Sequence, residues 1–132
     1  MLIYESEIIS IGEQANLFLD ENIVVFFGDN APEELKDFAV IHKLQNINGD
    51  INIGSKITLS ESNLEVISVG PVANENFKNL GHLVLKLDGS TDEAQLGDVI
   101  CTYDKKPNIE IGDKVSIANW IIQNCLSIAN KK

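Results

Sequence analysis

Apolar and polar positions alternate along most of this chain with the two-residue period of strands that bury one face. Leu2 to Ile11 alternates well enough to form a strand, and Ile23-Val24-Val25-Phe26-Phe27 is a compact apolar strand ending at the turn Gly28-Asp29-Asn30. Ala31 to Asp37 predicts a short helix, because Pro32 suits a first turn and Glu33 and Glu34 complement the positive end of the helix dipole. Strand alternation resumes over Phe38 to Leu44 and ends before the turn signal Asn48-Gly49-Asp50. Leu64 to Val69 is a further strand. Val72 to Leu80 then places Val72, Phe77 and Leu80 near one face of a brief helix, which Gly81 is suited to stop. The run Leu80 to Gly89 begins the next strand at once, and Asp98 to Tyr103 is another. Val115 to Ile117 reads as a strand, after which Ile117, Trp120, Ile121 and Ile128 recur at helical spacing and predict a C-terminal helix.

A short echo sharpens the picture. Ile53-Gly54-Ser55-Lys56-Ile57, Leu96-Gly97-Asp98-Val99-Ile100 and Ile111-Gly112-Asp113-Lys114-Val115 share one apolar-Gly-polar-x-apolar pattern, which predicts three glycine turns feeding three strands. Short strands separated by such turns predict an all-β fold, a compact β-barrel-like domain with two or three short helices. No linker or low-complexity segment interrupts the composition, so residues 1–132 are expected to form a single domain.

Composition narrows the function. The hydrophobic fraction of 44% with 23% charged residues is that of a folded globular chain. The net charge is −10, and every basic residue is a lysine. An acidic surface without arginine repels nucleic acid and lacks the preferred reader of bases and phosphates, whereas it favours encounter with a basic protein partner. The first residues carry no basic region or long apolar stretch, and no run approaches the ~20 apolar residues that span a bilayer, so a cytoplasmic location is expected. Cys101 and Cys125 are too few for a disulfide framework or a zinc motif.

The chemistry then falls on His42 and His82, the only histidines. Each lies in an alternating run, so His42 shares a strand face with Val40 and Leu44, and His82 with Val84. A neutral imidazole fixed among apolar groups is suited to nucleophilic catalysis near neutral pH. A histidine that accepts and hands on a phosphoryl group needs only a fixed ring, exclusion of water and a docking surface, with no cofactor. Two rival readings stand beside it: a non-catalytic binding or regulatory barrel with structural histidines, and a zinc-binding barrel using His42, His82 and Cys101.

Two segments resemble one family. Gly28-Asp29-Asn30-Ala31-Pro32-Glu33-Glu34-Leu35-Lys36-Asp37-Phe38-Ala39-Val40-Ile41-His42 resembles the region before the phosphorylated histidine of glucitol/sorbitol-specific IIA proteins of the bacterial phosphotransferase system. The matching elements are the Ala-Pro-x-x-Leu helix and the Ile-His that follows. Val69-Gly70-Pro71-Val72-Ala73 together with Leu80-Gly81-His82 and Asp88-Gly89 is similar to that family's second signature. The similarity runs from about Tyr4 to about Val115 in constant order. It implies a cytoplasmic IIA component that takes a phosphoryl group from the phosphocarrier HPr and passes it to a IIB component of the sugar permease. It further implies that His42 is the phosphorylated nucleophile, with His82 assigned a supporting role. The segment after Val115 departs from the match and is left to packing, to a homodimer contact or to a peculiarity of this member.

Overall fold

The computed structural model describes residues 1–89 and 93–119. Its eight described strands are β1 (Leu2–Ile11), β2 (Ile23–Gly28), β3 (Val40–His42), β4 (Lys56–Leu59), β5 (Ser62–Val69), β6 (Leu83–Lys86), β7 (Asp98–Tyr103) and β8 (Lys114–Ala118). They close a barrel in the order β1-β3-β2-β6-β7-β5-β4-β8, with β8 returning to β1. Closure removes the unpaired edges that an open sheet would expose. Most neighbours are antiparallel; β2–β3 and β6–β7 are parallel. Parallel pairing excludes a tight hairpin between the paired strands and requires a longer crossover connection.

The helices are α1 (Ala15–Asp20), a 3₁₀ helix over Glu33–Phe38, and α2 (Ala73–Leu80). The all-β barrel with short helices therefore matches the expectation, with differences of detail. The sequence offered no sign of α1, whose six residues are too few to show a periodic stripe. The helix expected over Ala31 to Asp37 starts only after Pro32, whose ψ of 143° is extended, and it winds as a 3₁₀ helix with no buried residue to hold a longer α-helix. The C-terminal helix expected after Ile117 lies outside the described residues.

The three-fold echo marks what the pattern implied. Ser55, Asp98 and Asp113 each donate a backbone N–H to the carbonyl three residues back, at 2.9, 2.8 and 3.1 Å; β4 and β8 begin at the next residue and β7 at Asp98 itself. The turns are not identical. Gly54 and Gly112 carry the positive φ in the first and third, whereas Leu96 carries it in the second.

The core fills the barrel interior, and β2 is buried on both faces. Val24 and Phe26 of β2 point inward to the main cluster, while Phe27 joins Ala31, Ala39 and Ile41 in a smaller outer cluster against which Val25 packs. Two-sided burial is why the β2 sequence reads as an unbroken apolar run. Leu85 is fully buried at the interior. Leu85→Ala is expected to lower stability by about 2–5 kcal/mol. Chemical denaturation should show a reduced midpoint with an unchanged slope.

Candidate functional site

The two histidines meet at one turn, where β2 and β3 end and β6 begins. Alternation sends Val40 and His42 into the interior and Ile41 to the outer cluster. His42 is 1% exposed. Its ring lies parallel to Phe77 of α2, with centroids 5.6 Å apart and planes at 17°, and it meets Tyr4 and Phe26 edge-on at 5.6 and 5.8 Å. The void beside these side chains measures about 10 Å³, no more than one water's room.

Both nitrogens of His42 are engaged. Nε2 lies 2.9 Å from the Gly81 carbonyl and Nδ1 lies 2.8 Å from the Tyr4 hydroxyl. A carbonyl only accepts, so the neutral ring carries its proton on Nε2 and donates to Gly81, while Nδ1 accepts from Tyr4. Gln45 N–H donates to the Tyr4 oxygen at 3.2 Å and completes the chain. Burial pushes the pKa of His42 below its ordinary value, opposed by the Gly81 and Lys43 carbonyls and the Asp29 charge. Burial likewise raises that of the Tyr4 phenol. The pair is neutral at pH 7.

His82 faces the other way. It sits one residue ahead of β6 rather than inside a strand, because α2 ends at Gly81 in the left-handed region (φ 64°). Gly81 N–H bonds to the Phe77 carbonyl at 2.8 Å, closing the helix and swinging the chain into β6. This turn aims the Gly81 carbonyl inward at His42 and the His82 side chain outward. The His82 ring stacks on Phe27 with centroids 4.1 Å apart and planes at 16°, and its Nδ1 lies 3.1 Å from the Phe26 carbonyl. Nδ1 is therefore the donor, and the ring is half-buried.

Comparison with known proteins shows the family to which the chain belongs. A family model described as "PTS system glucitol/sorbitol-specific IIA component" matches residues 3–116. This chain belongs to the glucitol/sorbitol-specific IIA family of the phosphotransferase system. Relatives carrying the name glucitol/sorbitol-specific EIIA component, from Shigella flexneri and Escherichia coli K12, are each 31% identical over 98 residues, which is 74% of this chain and 80% of theirs. The crystal structure of a PTS system IIA component from Enterococcus faecalis V583 superimposes with a TM-score of 0.70 at 26% identity, covering 89% of this chain and all of that one. A IIA component is a station in a phosphoryl relay, so the fold reading and the family reading agree.

Within this IIA chain, the turn brings together the residues expected from sequence and adds others. His42 and His82 are joined through Gly81, but they lie on opposite faces of β2, one against Phe26 and one against Phe27. The expectation that His82 assists a phosphoryl group on His42 thus meets two rings directed apart. Cys101 is buried on β7, where burial pushes its thiol pKa up to about 12. Among the described residues, no three His, Cys, Asp or Glu side chains cluster to hold a metal ion, which leaves the zinc reading without a site. Tyr4, Phe27 and Phe77 were not singled out as site residues by sequence. Tyr4 alternates with Ser6 and Ile8 like any inward-facing core residue.

Two outcomes follow from this geometry. A Cβ on Gly81 would lie 2.7 Å from Gly28 N and 2.9 Å from His42 Cε1, in a backbone region that L side chains rarely adopt. Gly81→Ala is expected to cost about 1–3 kcal/mol and to loosen the turn, measurable by denaturation and by amide exchange at His82. For His42, the folded pKa lies below the unfolded value of 6.5, so below pH 6.5 the unfolded chain binds more protons. The His42 contribution to stability is complete above pH 6.5 and is lost as pH falls towards the folded pKa. Denaturation series from pH 7.5 to 5 should show a shallower pH dependence in His42→Gln than in the wild type.

Proposed function

We propose that this IIA component carries its phosphoryl group as a phosphohistidine at the His42–Gly81–His82 turn, taking it from HPr and yielding it to a IIB component of a glucitol/sorbitol-type permease. The observation that supports this is a pair of imidazoles, the only two in the chain, each held by a backbone carbonyl, that of Gly81 for His42 and that of Phe26 for His82. A ring with one nitrogen held by a hydrogen bond presents the other in a defined direction, which is what an in-line displacement requires. The resemblance singles out His42 as the phosphorylated residue, with His82 in support. Among the described residues no helix is long and apolar enough to cross a membrane, and the reaction with HPr belongs in the cytoplasm. The net charge of −10 favours docking of a basic phosphocarrier face by electrostatic steering. The whole chain serves as one carrier domain.

Incubation with phosphoenolpyruvate, enzyme I and HPr is expected to give a phosphoprotein that is acid-labile and alkali-stable. The His42→Gln/His82→Gln double variant should take no label. Persistent labelling of that folded double variant would exclude a phosphohistidine.

A further inference from the structure

We propose that Tyr4 is a positioning residue of the phosphoryl relay: its hydroxyl pairs with His42 Nδ1 as donor or as acceptor, and so lets Nε2 give up its proton and take the phosphoryl group. The inference rests on the relay reading above, with His42 as the phosphorylated residue.

In the resting arrangement His42 has no nitrogen to offer. Nε2 carries the proton donated to the Gly81 carbonyl, and the Nδ1 lone pair accepts from the Tyr4 hydroxyl. Nδ1 also faces inward, towards a tyrosine that is 2% exposed and a void of about 10 Å³, where a phosphoryl group does not fit. Nε2 faces the turn, where the exposed Leu80 precedes Gly81. A donor therefore reaches Nε2, once the turn withdraws the Gly81 carbonyl. An attacking Nε2 must hold a lone pair, which places the proton of the neutral ring on Nδ1.

Tyr4 is placed to pair with that proton. Its hydroxyl oxygen lies 2.8 Å from Nδ1 and 3.2 Å from the Lys43 carbonyl, and it accepts the Gln45 N–H at 3.2 Å. A phenol has one hydrogen to give and two lone pairs to offer. At rest the hydrogen goes to Nδ1. In the reacting tautomer it turns to Lys43, and the oxygen accepts from Nδ1–H while keeping Gln45. The Lys43 carbonyl also takes the Ser6 hydroxyl and has a second lone pair for Tyr4. Both arrangements keep Nδ1 and the phenol paired. With phenylalanine at position 4, the reacting tautomer would leave a buried Nδ1–H without an acceptor.

The step balances with water as the proton carrier. While the Gly81 bond is open, Nε2 gives a proton to water and Nδ1 gains one from water, so the ring stays neutral. The Nε2 lone pair then forms the new N–P bond as the N–P bond of the HPr phosphohistidine breaks, and that electron pair stays on the donor's ring nitrogen. The positive charge passes to the His42 ring, where it strengthens the hydrogen bond from Nδ1–H to the Tyr4 oxygen.

Tyr4→Phe tests the assignment, because it keeps the ring that packs edge-on against Phe77 and His42 and removes only the hydroxyl. In phosphorylation by HPr, kcat per folded molecule is expected to fall about 10- to 100-fold with KM for HPr unchanged. A merely structural Tyr4 would lower the denaturation midpoint and leave kcat per folded molecule where it was. Nitrogen-15 NMR of the wild type supplies a readout that needs no variant. Before phosphorylation His42 should carry its proton on Nε2; afterwards Nε2 should couple to phosphorus and Nδ1 should be protonated. Wild-type kcat in Tyr4→Phe, a loss confined to KM, or phosphorus coupled to Nδ1 of His42 overturns the assignment and leaves the relay standing. A wild type that HPr does not label overturns the relay reading, and the Tyr4 assignment with it.

Discussion

The buried hydrogen bond from His42 to the Gly81 carbonyl ties the barrel interior to the turn at its rim. A buried carbonyl left without a donor costs about 1–3 kcal/mol, so the ring and the turn constrain one another. Phe77 stacks on the same ring from α2, and the α2 terminus makes the turn that supplies the carbonyl. Helix, turn and strand therefore hold a single arrangement. Gly81 is required because its backbone passes close to both Gly28 and the His42 ring in a left-handed conformation.

The barrel supports this through the two-sided burial of β2. Its inward residue Phe26 helps cage His42, and its outward residue Phe27 is the platform for His82. The Phe26 carbonyl adds the hydrogen bond that orients the outer ring. One strand thus serves core and site together. A rigid strand positions a reacting group more accurately than a free loop, and alignment is most of what a phosphoryl relay asks of its protein. The two imidazoles differ in environment more than in chemistry. One is desolvated, neutral and saturated with hydrogen bonds; the other is half-buried, stacked on Phe27 and held through Nδ1.

Much of the fold was legible in local pattern. Strong alternation marked β1, apolar continuity marked β2, and the repeated glycine turns marked the starts of β4, β7 and β8. Features that depend on few residues were not legible. The six residues of α1 show no helical stripe, and the 3₁₀ helix carries no buried residue to reveal its winding. Pairing order was hidden as well. Nothing local places β3 between β1 and β2, or makes β2–β3 and β6–β7 parallel, because those choices depend on closing the barrel over a shared core.

By itself the sequence determined the all-β class, the family, and the identity of the two histidines, since residue type and spacing survive without coordinates. It also located Gly81 as a helix stop. Only the tertiary structure decided which way each imidazole points. Period-two alternation names residues that share a face, but whether that face meets the interior or solvent depends on the whole closed barrel. The hydrogen-bond partners were beyond sequence for the same reason. Tyr4, Gly81 and Phe26 reach the two rings across separations of 38, 39 and 56 residues. Those contacts set the direction of each ring and which of its nitrogens is held.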